Sequence, residues 1–257
     1  MAKHNNKESE TLERGDVLFF YRPRVQKKQA KGRGDLQRLY MVLHPHGKDR
    51  FRLAVIGRKV MPDPSAKGKE RMWGFVETVR KNPESIRDEL AGEEYKTKTR
   101  GTREVPTARP AGEGVYRIVR HDGHTHLAYM LELPKKRRGV QEELNIQKQA
   151  SYVISIANPE RSSPRPAGLR SRQQASYSQR LKKKFRGRKF SEADPPDFLN
   201  KQGAEFLLIA AAEDVKKDLG MELQPQDENK SSAEVFRHLK VDRSKRPTEP
   251  LLKGEWK

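Results

Sequence analysis

Short apolar runs separated by polar turns recur through the first 157 residues of the chain. Valine, isoleucine and aromatic side chains dominate these runs, and several of the runs alternate apolar with polar positions. Both features are typical of β-strands. Glycine, proline and asparagine lie between the runs, where turns are expected. The pattern predicts seven strands, at 15–21, 39–43, 51–56, 73–79, 115–121, 124–133 and 152–156.

The most specific local signal is Asp122-Gly123, which lies between two alternating runs. Both residues of such a turn need a positive φ, so the pair predicts a β-hairpin. A two-residue turn also fixes the register, which places His121 opposite His124 and Val119 opposite His126. One face of the hairpin then carries histidines. The other face carries core side chains, namely Tyr116, Ile118, Leu127, Tyr129, Leu131 and Leu133.

One helix is indicated at both of its ends. Asn82 is a typical N-cap, Pro83 suits the first helical position, and Gly92 follows the last turn. Residues 93–112 carry no clear pattern and are expected to be irregular. A short helix is also expected within 232–239.

These elements predict an α+β fold, with a mostly antiparallel bent sheet or partly open β-barrel, a few peripheral helices and polar tails. A single domain is expected over 14–220, and the polar termini 1–13 and 221–257 are expected to be largely flexible. The domain divides into a β-rich core at 14–157, a basic linker and helix at 161–190, and a packing segment at 195–220 that adds a strand or a helix.

Composition narrows the class of protein. Apolar residues make up 33% of the chain and charged residues 35%, against typical values of roughly 45–50% and roughly 25%. The absence of cysteine excludes disulfides, thiolate metal sites and cysteine nucleophiles. The N-terminal residues are polar, and the longest apolar run, 206–212, is far shorter than the roughly 20 residues that span a bilayer. We therefore expect a soluble, cytoplasmic protein without a membrane partner or a required cofactor.

The positive charge is concentrated. Residues 161–190 hold 11 Lys/Arg and no Asp/Glu, which is +11 of the formal net charge of +20. Cationic side chains neutralise phosphates, and a nearby aromatic ring can stack on an unpaired base. This segment therefore predicts non-catalytic binding of a polyanion, RNA or single-stranded DNA, through Arg180, Lys182, Lys183, Lys184, Arg186, Arg188, Lys189 and Phe190. A second basic loop, at 22–33, would extend the surface if it faces the same side, through Arg22, Arg24, Lys27 and Lys28.

Other interpretations of the basic segment stay open. Tyr177, Leu181 and Phe185 are spaced four apart, which also suits a solvated helix that docks on the core. The same cations would serve a scaffold protein that docks an acidic partner, or nuclear import. The sequence does not fix the oligomeric state.

The histidine face of the hairpin suggests a rival function. His121, His124 and His126 point the same way, with Glu132 further along that side, and imidazole and carboxylate groups are ligands for zinc. This set predicts a metal- or histidine-dependent enzyme as the alternative to nucleic-acid binding. A polar hairpin tip, in which histidine is merely tolerated, is the plainer explanation of the same residues.

Catalytic sequence motifs offer no further support for an enzyme. The chain lacks the phosphate-binding loop, the dinucleotide fingerprint, the His-Glu-x-x-His motif and the nucleophile elbow. The opening Gly15-Asp16-Val17, followed by Arg38-Leu-Tyr-Met-Val-Leu43, resembles the first strands of small barrels of the PemK-like ribonuclease toxins. The resemblance stops there, and no catalytic residue is carried over from it.

Overall fold

The computed structural model describes residues 9–99, 101–161, 169–226, 232–237, 239 and 247–257. Apolar alternation and β-branched side chains make this part of the chain predominantly strand. Its strands are β1 (Glu10–Pro23), β2 (Leu36–Pro45), β3 (Phe51–Ile56), β4 (Arg71–Arg80), β5 (Glu93–Thr97), β6 (Gly101–Val105), β7 (Arg109–His121), β8 (His124–Leu133), β9 (Gln149–Ala157), β10 (Phe190–Glu192) and β11 (Glu205–Ala212).

Eight of these strands close into a barrel. Their order is β9-β11-β4-β3-β2-β1-β7-β8, and β8 pairs back onto β9, so the sheet meets itself. Every neighbouring pair is antiparallel. The prediction of a mostly antiparallel sheet is confirmed, but the barrel is closed rather than partly open. The packing segment supplies a strand, β11, which fills the gap between β4 and β9.

Alternate side chains of each strand point to opposite faces. Phe19 on β1 reaches Tyr129 on β8 with ring centroids 5.2 Å apart, across the intervening β7, so this side chain points into the barrel. Its neighbours Leu18 and Phe20 are also buried, but in a separate cluster on the outer face. Both faces of β1 are therefore covered, which explains its nearly continuous apolar run.

The helices are short, and several of them pack their apolar residues against the barrel. They are α1 (Pro83–Glu89), α2 (Gly139–Glu143), α3 (Gln179–Lys184), α4 (Val215–Leu219), α5 (Glu234–Arg237) and α6 (Glu249–Lys253). The predicted cap of α1 is confirmed, because Asn82 Oδ1 accepts a hydrogen bond from Ser85 N at 3.0 Å. None of the helices that the structure describes has the length and apolar character needed to cross a membrane.

Three segments differ from the sequence predictions. The stretch expected to be irregular holds the β5–β6 hairpin, whose strands are almost wholly exposed and therefore lack apolar alternation. Strand β1 begins inside the predicted N-terminal tail. Helix α6 lies in the predicted C-terminal tail, yet Leu251 is fully buried on the outer face of the barrel. The predicted helix within 232–239 corresponds to the shorter α5.

Candidate nucleic-acid interface

The basic segment is held rigidly by its aromatic residues. Tyr177, Leu181 and Phe185 are all buried, as their spacing predicts. The rings of Tyr177 and Phe185 pack edge-on against Phe198, at centroid distances of 5.3 and 5.2 Å. Phe198 lies in a 3-10 helix, Pro196–Asn200, that contacts β4 at the barrel end. The cations of α3 therefore project from a fixed support.

Three of the predicted cations are paired with carboxylates of the same chain. The pairs are Arg180–Asp197 at 3.0 Å, Lys182–Glu160 at 2.6 Å and Arg188–Glu192 at 3.4 Å. All three are substantially exposed, and such pairs contribute about 0–1 kcal/mol. These pairs lower the local positive charge but leave the side chains exposed to solvent.

Four other cations of this segment remain available. Lys183, Lys184, Arg186 and Lys189 are exposed, and none of them forms an ion pair with the part of the chain that the structure describes. Phe190 is different from the prediction: its ring is half-buried and packs against Trp73 at a centroid distance of 5.7 Å. A base can reach at most the remaining exposed part of that ring.

Two of these four cations, Lys184 and Arg186, line a groove that the sequence did not reveal. Its volume is about 270 Å³, and it lies between the basic segment and the tip of the β7–β8 hairpin. Arg120 and His124 line it from the hairpin, opposite three cations of the basic segment. The charged side chains of the groove are Arg120, Lys184, Arg186, Arg188, Glu192 and Asp194, a net of +2 before any protonation of His124.

A sharp turn of the backbone after α3 positions the basic side of this groove. Arg186 has φ 49° and Gly187 has φ 70°, so the chain turns sharply after α3. Left-handed backbone is unfavourable for residues other than glycine and concentrates at functional sites. On the other side, Arg120 is bound by Asp194 through Nε at 2.9 Å and also by Glu10. These carboxylates fix its position at the groove wall.

The predicted basic loop lies elsewhere. Glu10 at the start of β1 pairs with Arg120 on β7, whereas Tyr21 near its end pairs with Arg109. The groove is therefore at the hairpin end of the barrel, where β1 starts, and the loop after Pro23 is at the opposite end, which we call the loop end. The basic loop therefore does not face the same side as the basic segment, and the condition for an extended surface is not met.

Arg22 has a structural role that excludes a phosphate contact. Its side chain is buried and donates hydrogen bonds of 2.8 Å to the carbonyl oxygens of Ala91, Pro106 and Glu89. Its Nε also donates to Tyr40 Oη at 3.1 Å. Its inclusion among the nucleic-acid-binding residues is corrected for this reason. Of the other predicted loop residues, Arg24 and Lys28 are exposed, and Lys27 pairs with Asp35 at 2.6 Å.

The histidine face has the register that the Asp-Gly turn predicts. His121 pairs with His124 and Val119 with His126. Helix α4 covers this face, however, and His126 is 7% exposed. Its Nδ1 lies 3.8 Å from Asp218 Oδ2. Burial lowers the pKa of His126 to about 4, and the nearby His121 and His124 add to this effect.

Glu132 is not part of this cluster. It lies near the far end of β8, where it accepts a hydrogen bond from the backbone N–H of Gln226. His121 Nδ1 is in turn 3.0 Å from Ser9 Oγ. Among the described residues, no group of three or more His, Asp or Glu side chains is arranged to hold a metal ion. The predicted four-residue zinc site is therefore not assembled.

The hairpin end of the barrel also contains a buried polar cluster that the sequence did not predict. Glu13 accepts hydrogen bonds from Arg52 at 2.5 and 2.9 Å and from Tyr116 Oη at 2.8 Å. Burial acts to raise the pKa of Glu13, but the hydrogen bonds and charge of Arg52 outweigh it and leave that pKa lowered. Since the partners come from β1, β3 and β7, only tertiary structure brings them together.

On the outer face nearby, Asp16 bridges two histidines. Its carboxylate oxygens lie 3.1 Å from His44 Nδ1 and 2.6 Å from His46 Nε2. The ring of His44 stacks on Phe51 at a centroid distance of 4.2 Å. The arrangement orients both imidazoles and ties β1 to the turn after β2.

Comparisons with known proteins add no further assignment. No protein-family model, no curated protein and no solved structure matches this chain.

Proposed function

We propose that the protein binds single-stranded RNA or DNA at the hairpin end of the barrel. The observation that carries this proposal is the groove in which Arg120 and His124 of the hairpin face Lys184, Arg186 and Arg188 of the basic segment. Cations from two distant parts of the chain converge on one depression there. Convergent positive charge attracts a polyanion more strongly than the same charge dispersed over a surface.

Four exposed cations predict how steeply binding depends on salt. Lys183, Lys184, Arg186 and Lys189 form no ion pair with any residue that the structure describes, so each can contact a phosphate. If all four do so on a single strand, the logarithm of the binding constant should fall with the logarithm of salt concentration with a slope of about −3. The exposed pairs of Arg180, Lys182 and Arg188 contribute less, because a phosphate must first compete with their own carboxylates.

The test compares two variants of equal charge. The basic-segment variant carries Lys183→Gln, Lys184→Gln, Arg186→Gln and Lys189→Gln. The matched control carries Lys67→Gln, Lys69→Gln, Lys96→Gln and Lys98→Gln, four exposed lysines that do not line the groove. Fluorescence anisotropy with labelled 12-nucleotide RNA and DNA strands, from 50 to 300 mM salt, measures affinity, and thermal unfolding checks the fold.

We expect the basic-segment variant to bind at least tenfold more weakly than the control at 100 mM salt, with a shallower salt dependence. The control should stay within about threefold of the native protein, the effect of diffuse charge alone. Equal affinities of the two variants would contradict the proposal, since binding would then reflect only net charge.

A further inference from the structure

A second cleft lies away from the groove. Its volume is about 890 Å³, which falls within the roughly 300–1,000 Å³ typical of small-molecule sites. It opens on the barrel wall formed by β2, β3 and β4. Val55, Ile56, Phe75 and Val76 form its apolar part. The chain at 172–174 and 202–203 borders it on the other side.

The polar lining of this cleft is cationic. Arg38, Arg58, Lys59 and Arg172 face a single carboxylate, Glu77, which is bound to Arg38. Within the described chain, Arg58 and Arg172 form no ion pair. The charged side chains that line the cleft therefore sum to a net charge of +3.

Two further cations, Arg24 and Arg33, lie close enough to Lys59 to repel its charge. The Nζ of Lys59 donates a hydrogen bond of 2.9 Å to the carbonyl oxygen of Leu36, and the Nε of Arg24 approaches the same oxygen at 3.5 Å. Burial lowers the pKa of Lys59, and the positive charges of Arg24 and Arg33 lower it further. A bound anion would relieve this mutual repulsion.

The backbone at the cleft is strained in a way that positions these cations. Arg58 has φ 52° and Lys59 has φ 57°, two consecutive left-handed residues with bulky side chains. Such residues are energetically unfavourable and cluster at active sites and ligand-binding sites. The preceding Gly57 approaches the carbonyl oxygen of Trp73 so closely that a Cβ would lie 2.7 Å from it. The turn is thus anchored to β4.

Neutral hydrogen-bonding groups complete the lining. Four glutamines border the cleft, and their amides both donate and accept hydrogen bonds. Phe75 offers a half-buried aromatic ring beside them. The glutamines are Gln37, Gln173, Gln174 and Gln202.

Arg38 and Glu77 line both this cleft and a second depression of about 290 Å³. The lining of that depression includes three carboxylates, Asp88, Glu89 and Glu93. Phosphate is repelled on that side and attracted to Arg58, Lys59 and Arg172 on the other. An anionic group would therefore bind beside Arg58, Lys59 and Arg172, and a neutral ring would lie towards Phe75.

We propose that this cleft binds a nucleotide, with the phosphate held by Arg58, Lys59 and Arg172 and the base placed against Phe75 among the glutamine amides. The nucleotide is either a free mononucleotide or one unit of a single strand. Cations, an aromatic face and amides that can read a base edge are the features that nucleotide recognition requires. This site is separate from the groove at the hairpin end, so the two proposals can fail independently.

Isothermal titration calorimetry with AMP, UMP and inorganic phosphate tests the site on the full-length protein. Eight-nucleotide RNA strands form a second arm. The cleft variant carries Arg58→Gln and Arg172→Gln, and its charge-matched control carries Lys67→Gln and Lys69→Gln. Phe75→Leu tests the ring contact, and unfolding temperatures check that all variants fold.

We expect at least one mononucleotide to bind, and the cleft variant to bind it at least tenfold more weakly than the control does. Phe75→Leu should weaken mononucleotide binding about fivefold or more and leave inorganic phosphate binding unchanged. Should only the RNA strand bind, with the same loss in the cleft variant, the nucleotide is a unit of a strand. The proposal is overturned if neither ligand distinguishes the cleft variant from its control.

The basic-segment variant separates this inference from the proposed function. It should bind mononucleotides as the native protein does, because its four substitutions do not line the cleft. Loss of strand binding in that variant alone would support the groove and overturn the cleft as a strand site.

Discussion

Arg52 and Glu13 form a two-pronged ion pair inside the barrel. Nη1 and Nη2 of Arg52 lie 2.5 and 2.9 Å from the two carboxylate oxygens of Glu13, and the side chains are only 1% and 2% exposed. Arg52 Nε also donates to Asn200 Oδ1 at 2.8 Å. The pair therefore links β1 and β3 to the 3-10 helix that supports the basic segment.

Removing one member of this pair should be strongly destabilising, because the other charge stays buried. We expect Arg52→Met to lower the free energy of unfolding by about 3–5 kcal/mol, measured by urea denaturation at pH 7. The double variant Arg52→Met, Glu13→Leu should recover much of this loss. Arg80→Gln is the control, since its pair with Glu89 is exposed and is worth about 0–1 kcal/mol. An equal, small effect of Arg52→Met and Arg80→Gln would contradict the buried-pair argument.

Arg22 should matter for stability and not for nucleic-acid binding. Its guanidinium bonds the carbonyl oxygens of Glu89, Ala91 and Pro106 in a planar arrangement that a lysine ammonium cannot reproduce. We expect Arg22→Lys to lower the free energy of unfolding by about 2–3 kcal/mol, since hydrogen bonds to charged groups contribute roughly 1.5–3 kcal/mol. Urea denaturation measures the loss.

Strand affinity provides the second measurement on this variant. At a temperature where Arg22→Lys is folded, its affinity for RNA should equal that of the native protein. The exposed Arg24→Lys serves as the control and should change neither quantity. A fall in RNA affinity without a fall in stability would restore Arg22 to the interface.

Local signals were sufficient for the elements whose geometry depends on a few adjacent residues. Asp122-Gly123 fixed the register of β7 and β8, and Asn82 with Pro83 fixed the start of α1, because turn and cap preferences act within four residues. The β5–β6 hairpin was missed because neither strand buries an apolar face. Barrel closure through the β8–β9 pairing depends on long-range contacts, which no local pattern encodes.

The site was harder to predict for the same reason. The spacing of Tyr177 and Phe185 correctly indicated docking of α3, since helical periodicity is local. Arg22 was misassigned because the carbonyl oxygens that it bonds belong to residues 89, 91 and 106, which are far from it in the sequence. Arg120 and Arg58 carry no signal in a sequence already rich in arginine. Only folding places them beside other cations.

Glu205 should destabilise the protein at neutral pH. Burial raises its pKa, so the folded state disfavours the charged carboxylate. Stability contributed by this group is therefore present at low pH and is lost as pH rises from the ordinary value of 4.5 through the raised value. We expect Glu205→Gln to raise the unfolding temperature at pH 7 by about 2–4 °C, equivalent to about 1 kcal/mol. The gain should vanish at pH 3, and a destabilised variant at pH 7 would contradict the argument.

His126 should produce the opposite pH dependence, because burial disfavours its charged form. Its pKa is lowered from 6.5 to about 4, so between these values the unfolded chain binds a proton that the folded protein does not. His126 makes its full contribution to the free energy of unfolding above pH 6.5, and this contribution is lost as pH falls towards 4. The loss is on the order of 3 kcal/mol at most, from about 1.4 kcal/mol per unit of pKa. Urea denaturation at half-unit steps measures it, with His126→Gln removing this part of the slope. The exposed His124→Gln should retain most of the native slope, because burial is the largest cause of the lowered His126 pKa and His124 only adds to it. A His126 pKa near 6.5 by NMR titration would show that α4 does not exclude solvent from the ring.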